Sequence, residues 1–194
     1  FVVGSGNSMA YGAASAITEK PGSLYNPLYI CGGHGLGKTH LLSAIGNKLR
    51  TKREKLTILF QPADKFIHEF VHAARADKIA QFYSKFHSVD VLLFDDVQYI
   101  GNKEQTQEAF FQIFDLLYES RKQIVCTCDS PPQRIKGISE RLRSRFSGGL
   151  VTDLEVPDLL TKIAIVKKKA EQSCELIDDK VAECIASCSN MNIR

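Results

Sequence analysis

The stretch "LYICGGHGLGKTHLLSAIG" (residues 28–46) decides the fold of this chain. An apolar run ends at Gly32, four residues follow, and Gly37, Lys38 and Thr39 then open a helical pattern. This is the spacing of a phosphate-binding loop, in which glycines let backbone N–H groups point at phosphate oxygens and the following helix adds its positive end. The pattern predicts that Lys38 reaches the β- and γ-phosphates and that Thr39 holds Mg²⁺.

Nucleotide contacts are expected along the whole loop and the first turn of its helix. The expected contact residues are Gly33, His34, Gly35, Leu36, Gly37, Lys38, Thr39 and His40. A guanine-binding N-K-x-D signature is missing, since "NKEQ" at 102–105 lacks the acid. ATP and ADP are therefore the expected ligands.

Two acids end the apolar run "VDVLLFDDVQ" at 89–98. At the carboxyl end of a parallel strand, Asp95 is placed to bind Mg²⁺ through water and Asp96 to orient the attacking water. The structural alternative is that two acids after a strand form a helix N-cap. The phosphate-binding loop upstream favours the functional interpretation.

Asp129 ends the next apolar run, in "CTCDSPP" at 126–132. Because neighbouring strands of a parallel sheet end at the same edge, its side chain is expected near the γ-phosphate and the attacking water. The alternative is a turn residue ahead of Pro131 and Pro132.

Arg141 and Arg145 lie one helical turn apart in "ERLRSRF" at 140–146. An arginine donated to the nucleotide of a neighbouring subunit neutralises charge in the transition state. The alternative is a set of surface salt bridges.

The segment "HEFVH" at 68–72 matches the H-E-x-x-H pattern of zinc hydrolases. It would place His68 and His72 on one helix face, with Glu69 as a base. The next histidine, His87 in "KFHSVD", is not a convincing third ligand, and the helix belongs to a unit already assigned to nucleotide binding. We therefore reject zinc hydrolysis.

Five short apolar runs alternate with helical patterns. The runs lie at 27–31, 56–60, 89–95, 123–128 and 149–154. They are continuous rather than alternating, which is typical of strands buried on both faces of a parallel sheet. The rhythm predicts a doubly wound α/β sandwich, the nucleotide-binding core, over residues 1–156. From 157 to 194 the pattern is only helical, which predicts a small all-helical piece.

The helical patterns also predict which residues share a helix face. The sets are Leu42, Ile45 and Leu49; Phe66, Phe70, Val71 and Ala74; Phe110, Phe111, Phe114 and Leu117; Leu159, Ile163, Val166 and Ala170; and Val181, Cys184, Ile185 and Cys188.

The composition, with 44% hydrophobic and 24% charged residues among 194, is that of a globular protein. No window approaches eighteen consecutive apolar residues, so no membrane span is expected. The net charge of +3 is too small to establish a nucleic-acid partner, although basic residues cluster at 48–55, 134–145 and 167–169. Six cysteines without a C-x-x-C pair or a secretion signal favour reduced, buried thiols in a cytoplasm. The chain opens without Met and stops at Arg194, so we expect a domain excised from a longer protein.

Taken together, several segments resemble one family. They are "FVVGSGN", "NPLYICGGHGLGKTHLLSAIG", "SVDVLLFDDVQYI", "DSPPQRIKGISERLRSRFSGGL" and "VPDLLTKIAIVKKKA". Over nearly the whole chain they resemble the AAA+ ATPase domain (domain III) of the DnaA family of bacterial replication initiators. The resemblance implies a P-loop AAA+ three-layer sandwich with a five-stranded parallel sheet, plus a small helical lid.

The resemblance assigns a role to each matching position. Lys38 and Thr39 match Walker A, Asp95 and Asp96 match Walker B, and Asp129 matches sensor 1. Arg145 falls at the arginine finger that acts in trans, and Arg194 falls at the sensor-2 arginine of the lid. Val71 and Lys103 match positions that contact single-stranded DNA.

The resemblance also implies a function and its partners. ATP-bound subunits of the family assemble into a helical filament on origin DNA, melt the duplex and hold the single strand, and a slow, switch-like ATP hydrolysis ends assembly. Expected partners are origin DNA, with the duplex bound by domains outside this chain, further copies of the protein, and a replicative helicase or its loader. The expected location is the bacterial cytoplasm, at the nucleoid.

Two positions depart from the family pattern, and two other functions stay open. Gln105 stands where the family commonly has Arg, which predicts weaker single-strand affinity, and Gly148 replaces an aromatic residue near Arg145. A DnaA-related helicase loader or regulatory protein would share the same motifs. A small-molecule kinase would share only the phosphate-binding loop.

Overall fold

The computed structural model describes residues 1–188, which contain five β-strands and eight α-helices. The strands are β1 (Leu28–Gly32), β2 (Ile58–Pro62), β3 (Val91–Asp95), β4 (Gln123–Cys128) and β5 (Leu150–Leu154). The helices are α1 (Ser8–Glu19), α2 (Lys38–Lys52), α3 (Ala63–Arg75), α4 (Ile79–His87), α5 (Glu104–Glu119), α6 (Glu140–Ser147), α7 (Leu159–Gln172) and α8 (Asp179–Cys188).

The five strands form one parallel sheet in the order β2-β3-β4-β1-β5. The prediction of a five-stranded parallel sheet is confirmed, and each strand lies within two residues of its apolar run. Cys31 pairs with Cys128, and Phe94 pairs with Cys126. Because these strands end in register, the residues that follow β1, β3 and β4 meet at one edge of the sheet.

The central strands and the edge strands differ in burial. All residues of β3 and β4 are buried, as expected for strands covered on both faces. The expectation fails for the two edge strands: Phe60 of β2 and Leu150 of β5 retain solvent exposure. An edge strand has a neighbour on one side only, so an apolar run does not guarantee full burial there.

Helices cover both faces of the sheet. On one face, α3, α4, α5 and α6 enclose an aromatic core in which Phe66 meets the rings of Phe94 and Phe110 edge-to-face, with centroids 5.5 and 5.6 Å away. On the other face, α1 and α2 pack onto β1 through small and aliphatic residues. The sheet is therefore packed between two layers of helices.

In α8, the four residues predicted to share a face, Val181, Cys184, Ile185 and Cys188, are all exposed. Ala182 and Ala186 are its buried residues, while Val181 and Ile185 are 48% and 46% exposed. Helix α8 packs against α7, and alanines allow the two backbones to approach closely, so the larger side chains lie on the open side. In α3, Phe66 and Phe70 are buried together with Ala63 and Ala73.

The six cysteines are free and fall into two groups. Cys31, Cys126 and Cys128 are buried in the sheet, as predicted. Cys174, Cys184 and Cys188 are exposed on the C-terminal helices, which corrects the expectation that all thiols are buried. Among residues 1–188, no helix combines the length and the apolar character needed to cross a membrane.

Candidate nucleotide site

The loop between β1 and α2 has the backbone of a phosphate cradle. Gly35 and Gly37 have φ angles of 76° and 93°, which glycine adopts at little cost, and Gly37 directly precedes the first turn of α2. At Gly32, a Cβ atom would lie 2.6 Å from the carbonyl oxygen of Leu154 on β5. The glycines therefore let the loop curl tightly against the sheet edge and direct the amino end of α2 into the concave space.

The ammonium group of Lys38 lies inside this loop. Lys38 Nζ donates hydrogen bonds to the carbonyl oxygens of Gly32 and Gly33, at 2.8 and 2.9 Å, and the residue is only 7% exposed. Two neutral carbonyls are weaker partners for a cation than phosphate oxygens are. The geometry therefore suits a charge that exchanges these carbonyls for an anionic ligand.

Thr39 and Asp95 bring two oxygen ligands together. Thr39 Oγ1 donates to Asp95 Oδ2 at 2.8 Å, which joins the start of α2 to the end of β3. The other carboxylate oxygen, Asp95 Oδ1, accepts from Thr127 Oγ1 on β4. A hydroxyl and a carboxylate at one point are the hard oxygen donors that Mg²⁺ prefers, so the residues present fit this metal.

Asp96 is held in a strained conformation by two neighbours. Its φ and ψ are 59° and 55°, in the left-handed region that is unfavourable for most residues. Its backbone N–H donates to Thr127 Oγ1 at 2.9 Å, and its Oδ1 accepts from Gln98 Nε2 at 2.9 Å. The side chain makes no capping hydrogen bond to the short 3-10 turn that follows, so the geometry gives no support to the helix-cap alternative.

Gln98 also connects Asp96 to the end of β4. Its Oε1 accepts from the backbone N–H of Asp129 at 3.3 Å. The carboxylate of Asp129 accepts from Ser130 Oγ at 3.0 Å, and the backbone carbonyl of Ser130 in turn accepts from the buried Tyr29 hydroxyl. Burial raises the pKa of Tyr29, so this anchor stays protonated.

Thr127 and Gln98 were missed in the sequence analysis. Thr127 lies between two apolar cysteines of β4, and Gln98 lies two residues beyond Asp96. Neither belongs to a chemical motif, and only their position at the sheet edge reveals what they hold.

A cavity of about 760 Å³ opens in front of this network. Six of the eight predicted contact residues line it: His34, Gly35, Gly37, Lys38, Thr39 and His40. Leu36 is instead buried in the core, and Gly33 is not among the lining residues. Asp96 lines the cavity too, and Lys169 of α7 reaches it from the C-terminal helices.

The surroundings of His40 show that positive charge gathers at this cavity. The pKa of His40 is lowered first by burial, and the positive charges of Lys169 and Lys168 also lower it. Such a concentration of positive charge suits a polyphosphate ligand.

Arg145 does not line the cavity of its own chain. It projects from α6, where its Nε lies 2.8 Å from Asp115 Oδ1 in an ion pair that lacks a well-aligned hydrogen bond. Its guanidinium also lies 5.7 Å from the ring centroid of Tyr118. The ion pair with Asp115 is a surface salt bridge of the kind that the alternative interpretation expects, and the Arg145 side chain is 39% exposed. Arg194 lies outside the described residues.

Val71 and Lys103 come together at a second cavity, of about 790 Å³. Val71 of α3 is 37% exposed, and Lys103, just before α5, donates from Nζ to the carbonyl oxygen of Tyr99 at 2.8 Å. Gln105 lines the same cavity. The two residues expected at single-stranded DNA thus share one surface.

The H-E-x-x-H segment forms no metal site in the part of the chain that the structure describes. Glu69 is bound by Lys85, with Oε2 and Nζ 2.7 Å apart. Residues 1–188 contain no group of three or more His, Cys, Asp or Glu side chains arranged to hold a metal ion.

Comparison with known proteins identifies the family. A family model described as the bacterial DnaA ATPase domain matches residues 1–153. The chain belongs to the DnaA family. The DnaA of Geobacter metallireducens is 48% identical over all 194 residues, which cover 43% of that protein.

Solved DnaA structures share the fold closely. Domain III of Thermotoga maritima DnaA superposes with a TM-score of 0.96 at 40% identity, covering 100% of this chain and 80% of that one. A replication initiator DnaA bound to AMPPCP and single-stranded DNA superposes at 0.90 and 39% identity, covering 100% and 59%. The AAA+ P-loop fold is therefore confirmed. This chain spans less than half the length of its curated DnaA relative.

Proposed function

We propose that this chain is the ATP-binding and ATP-hydrolysing domain of a DnaA-family replication initiator. The observation that carries the proposal is the hydrogen bond between Thr39 and Asp95, which joins the phosphate-binding loop to the end of β3 beside Lys38. A loop, a lysine and a hydroxyl–carboxylate pair at one sheet edge have the chemistry that binding Mg²⁺ and a nucleoside triphosphate requires. DnaA-family membership favours this function over a metabolite kinase.

Each residue at the site has a role in this proposal. Lys38 binds the β- and γ-phosphates, and Thr39 and Asp95 would hold Mg²⁺, which neutralises charge on the phosphates when bound. Gln98 occupies one oxygen of Asp96 and so directs the other to accept a hydrogen bond from the attacking water. Asp129, tied to Asp96 through Gln98, and Arg194 sense the γ-phosphate.

The division of the chain follows the same logic. We infer that residues 1–156 form the nucleotide-binding core and residues 157–194 the lid, which is supported by the packing of α7 on α8 and by Lys169 at the cavity. Such a lid excludes water from the phosphates and reports on the bound nucleotide.

Self-assembly is assigned to Arg145. Because it lies away from the cavity of its own chain, it is available to the nucleotide of a neighbouring copy, where it neutralises charge on the γ-phosphate. ATP then supports a helical filament, and ADP, which lacks this group, binds without supporting assembly.

Single-stranded DNA is assigned to the cavity between Val71 and Lys103. The DnaA neighbour bound to AMPPCP and single-stranded DNA supports single-strand binding, and the presence of both residues at one cavity supports the assignment to that cavity. Contacts from Lys103 to the DNA backbone make the binding salt-dependent. In the whole protein, we propose action on origin DNA in the bacterial cytoplasm at the nucleoid, duplex binding by segments outside this chain, and a replicative helicase or its loader as a further partner.

The trans role of Arg145 is tested with two variants of one ion pair. We expect Arg145→Ala to leave AMPPCP affinity nearly unchanged and to abolish AMPPCP-dependent assembly, measured by sedimentation velocity of the full-length protein in AMPPCP and in ADP. Asp115→Ala removes the same ion pair but keeps the arginine, so it should retain most of the assembly. Equal losses in the two variants would assign Arg145 to the ion pair alone and would contradict the proposal.

A further inference from the structure

The cavity that we propose for single-stranded DNA is lined in part by the segment that leads into α6. The residues that line this cavity include Val71 and Lys103 and also Gly137, Ile138 and Ser139. Ser139 directly precedes α6, the helix that carries Arg145. A ligand in this cavity is therefore placed against the base of the helix to which assembly is assigned.

The two loops that form this wall are packed without a gap. The backbone N–H of Asn102 donates to the carbonyl oxygen of Gly137 at 2.9 Å. Gly137 has a φ of 68°, and a Cβ atom there would lie 2.1 Å from Asn102 Oδ1. A Cβ atom on Gly101 would likewise lie 2.6 Å from the carbonyl oxygen of Lys136. Displacing one loop must therefore displace the other.

A single buried amide fastens both loops. Gln107, in the first turns of α5, donates from Nε2 to the carbonyl oxygens of Ile100 and Gly137, at 3.1 and 2.7 Å. Its Oε1 accepts from the backbone N–H of Ser139 at 2.9 Å. The residue is 5% exposed, and an amide that satisfies three backbone groups in such a place is a strong positional constraint.

One face of α5 holds α6 from this point to its end. Gln107, Phe111, Asp115 and Tyr118 follow at intervals of four, four and three, so they share a face of the helix. Phe111 lies 4.1 Å from the guanidinium of Arg141, and Asp115 and Tyr118 contact Arg145. Lys103 directly precedes α5. This face of α5 therefore connects the cavity proposed for single-stranded DNA to Arg145.

We propose that Gln107 couples the binding of single-stranded DNA between Val71 and Lys103 to the position of α6, and thereby to ATP-dependent assembly through Arg145. This inference rests on the proposed function, because it takes those two sites from it. Single-stranded DNA bound in the cavity would hold the loops that line it in one position. Because the Gln107 amide joins these loops to Ser139, the bound DNA would also favour one position of α6. By thermodynamic linkage, assembly through Arg145 raises the affinity for single-stranded DNA by the same factor by which bound DNA favours assembly.

The coupling is measured as a ratio of two affinities. The full-length protein is titrated into a fluorescein-labelled oligo(dT) in saturating AMPPCP and in ADP, and the anisotropy gives a dissociation constant in each nucleotide. We expect wild-type protein to bind the strand on the order of 5- to 150-fold more tightly in AMPPCP, the usual range of such coupling. In Gln107→Met, which is nearly isosteric but makes none of the three hydrogen bonds, the ratio should fall towards one while AMPPCP affinity stays within about threefold.

Two further variants separate coupling from a general loss of binding. Lys103→Ala should weaken strand binding in both nucleotides by a similar factor and leave the ratio near the wild-type value. Gln112→Met changes the same residue type on the exposed face of α5 and should behave as wild type.

Each outcome decides one question. A Gln107→Met ratio equal to that of wild type overturns the coupling role. If that variant does not fold, Gln107→Glu decides, because it keeps the acceptor for Ser139 and loses both donors; an unchanged ratio there overturns the role equally. A wild-type ratio of one refutes instead the proposed ATP-dependent function, on which this inference rests.

Discussion

The carboxyl edge of the sheet and the C-terminal helices α7 and α8 differ in how their side chains are held. At the sheet edge, Asp95, Asp96 and Lys38 are each fixed by at least two hydrogen bonds from neighbouring elements. On the C-terminal helices and their loop, Leu160 and Leu176 are 79% and 101% exposed. Positions that are held from several sides have a defined geometry, whereas an apolar face with one neighbouring helix has more than one way to pack.

The largest expected contrast concerns two lysines that line the nucleotide cavity. Lys38→Ala removes a nearly buried cation from the centre of the loop, and we expect it to cost about 2–5 kcal/mol in AMPPCP binding, which is roughly 30-fold or more in affinity. Changing the exposed Lys169 of α7 to Ala should weaken AMPPCP binding by no more than about 1 kcal/mol. Isothermal titration with AMPPCP in the presence of Mg²⁺ measures both.

An equal loss of AMPPCP affinity in Lys169→Ala and in Lys38→Ala would contradict the prediction that the two lysines differ. It would show that the C-terminal helices close on the nucleotide and hold it as firmly as the loop does. A circular dichroism spectrum of each variant controls for folding.

The second contrast concerns stability. Phe110 is fully buried among aromatic rings of the helices and of β3, and we expect Phe110→Ala to lower the free energy of unfolding by about 3–5 kcal/mol. Ile185 is 46% exposed on α8, and Ile185→Ala should change the free energy of unfolding by no more than about 0.5 kcal/mol. Urea denaturation of each variant gives these values.

Similar losses in the two variants would mean that the outer face of α8 is covered in solution. Unequal slopes of the urea transitions would in turn indicate that α7 and α8 unfold separately from the core.

The difference between the sheet and the C-terminal helices also explains how much of the fold the sequence could predict. The strand runs were found within two residues because each is a continuous apolar stretch bounded by a motif or a turn. The faces around Leu42, Phe66 and Phe110 were predicted because those helices bury one stripe against a large sheet. Helices α1 and α4 were not identified: α1 buries mainly small alanines, among them Ala10 and Ala13, which give a weak hydrophobic period.

At the candidate site, the limit of prediction lies in the residues that position others. Lys38, Thr39 and Asp95 are recognisable because glycines and acids recur at fixed spacing along the chain. Thr127 and Gln98 hold the acids from a neighbouring strand and from the following turn, and no spacing rule relates them to the loop. Their roles depend on strand order, which the sequence pattern did not provide.

The smallest expected effect lies where the C-terminal helices join the core. Asp158 caps α7: its Oδ1 accepts from the backbone N–H of Thr161 at 2.7 Å and its Oδ2 accepts from Ser5 Oγ at 2.9 Å. Hydrogen bonding by the Thr161 side chain, then by the Thr161 backbone N–H and by Ser5, lowers the pKa of Asp158 below its ordinary value of 3.8. We expect Asp158→Ala to speed hydrogen exchange of the Thr161 amide and of the first turn of α7 while leaving the sheet unchanged.

The pH dependence of this effect has a definite sign. Because the folded pKa is lowered, the carboxylate stabilises the folded state fully above 3.8, and this contribution is lost as the pH falls through the lower folded value. The difference between wild type and Asp158→Ala should therefore be constant near neutral pH and shrink in acid. Asp178→Ala, at the start of α8, should not affect the Thr161 amide. If Asp158→Ala leaves that amide equally protected at every pH, then α7 is attached through the packing of Thr161 on Gly4, where a Cβ atom would lie 2.1 Å from Oγ1, and the cap is dispensable.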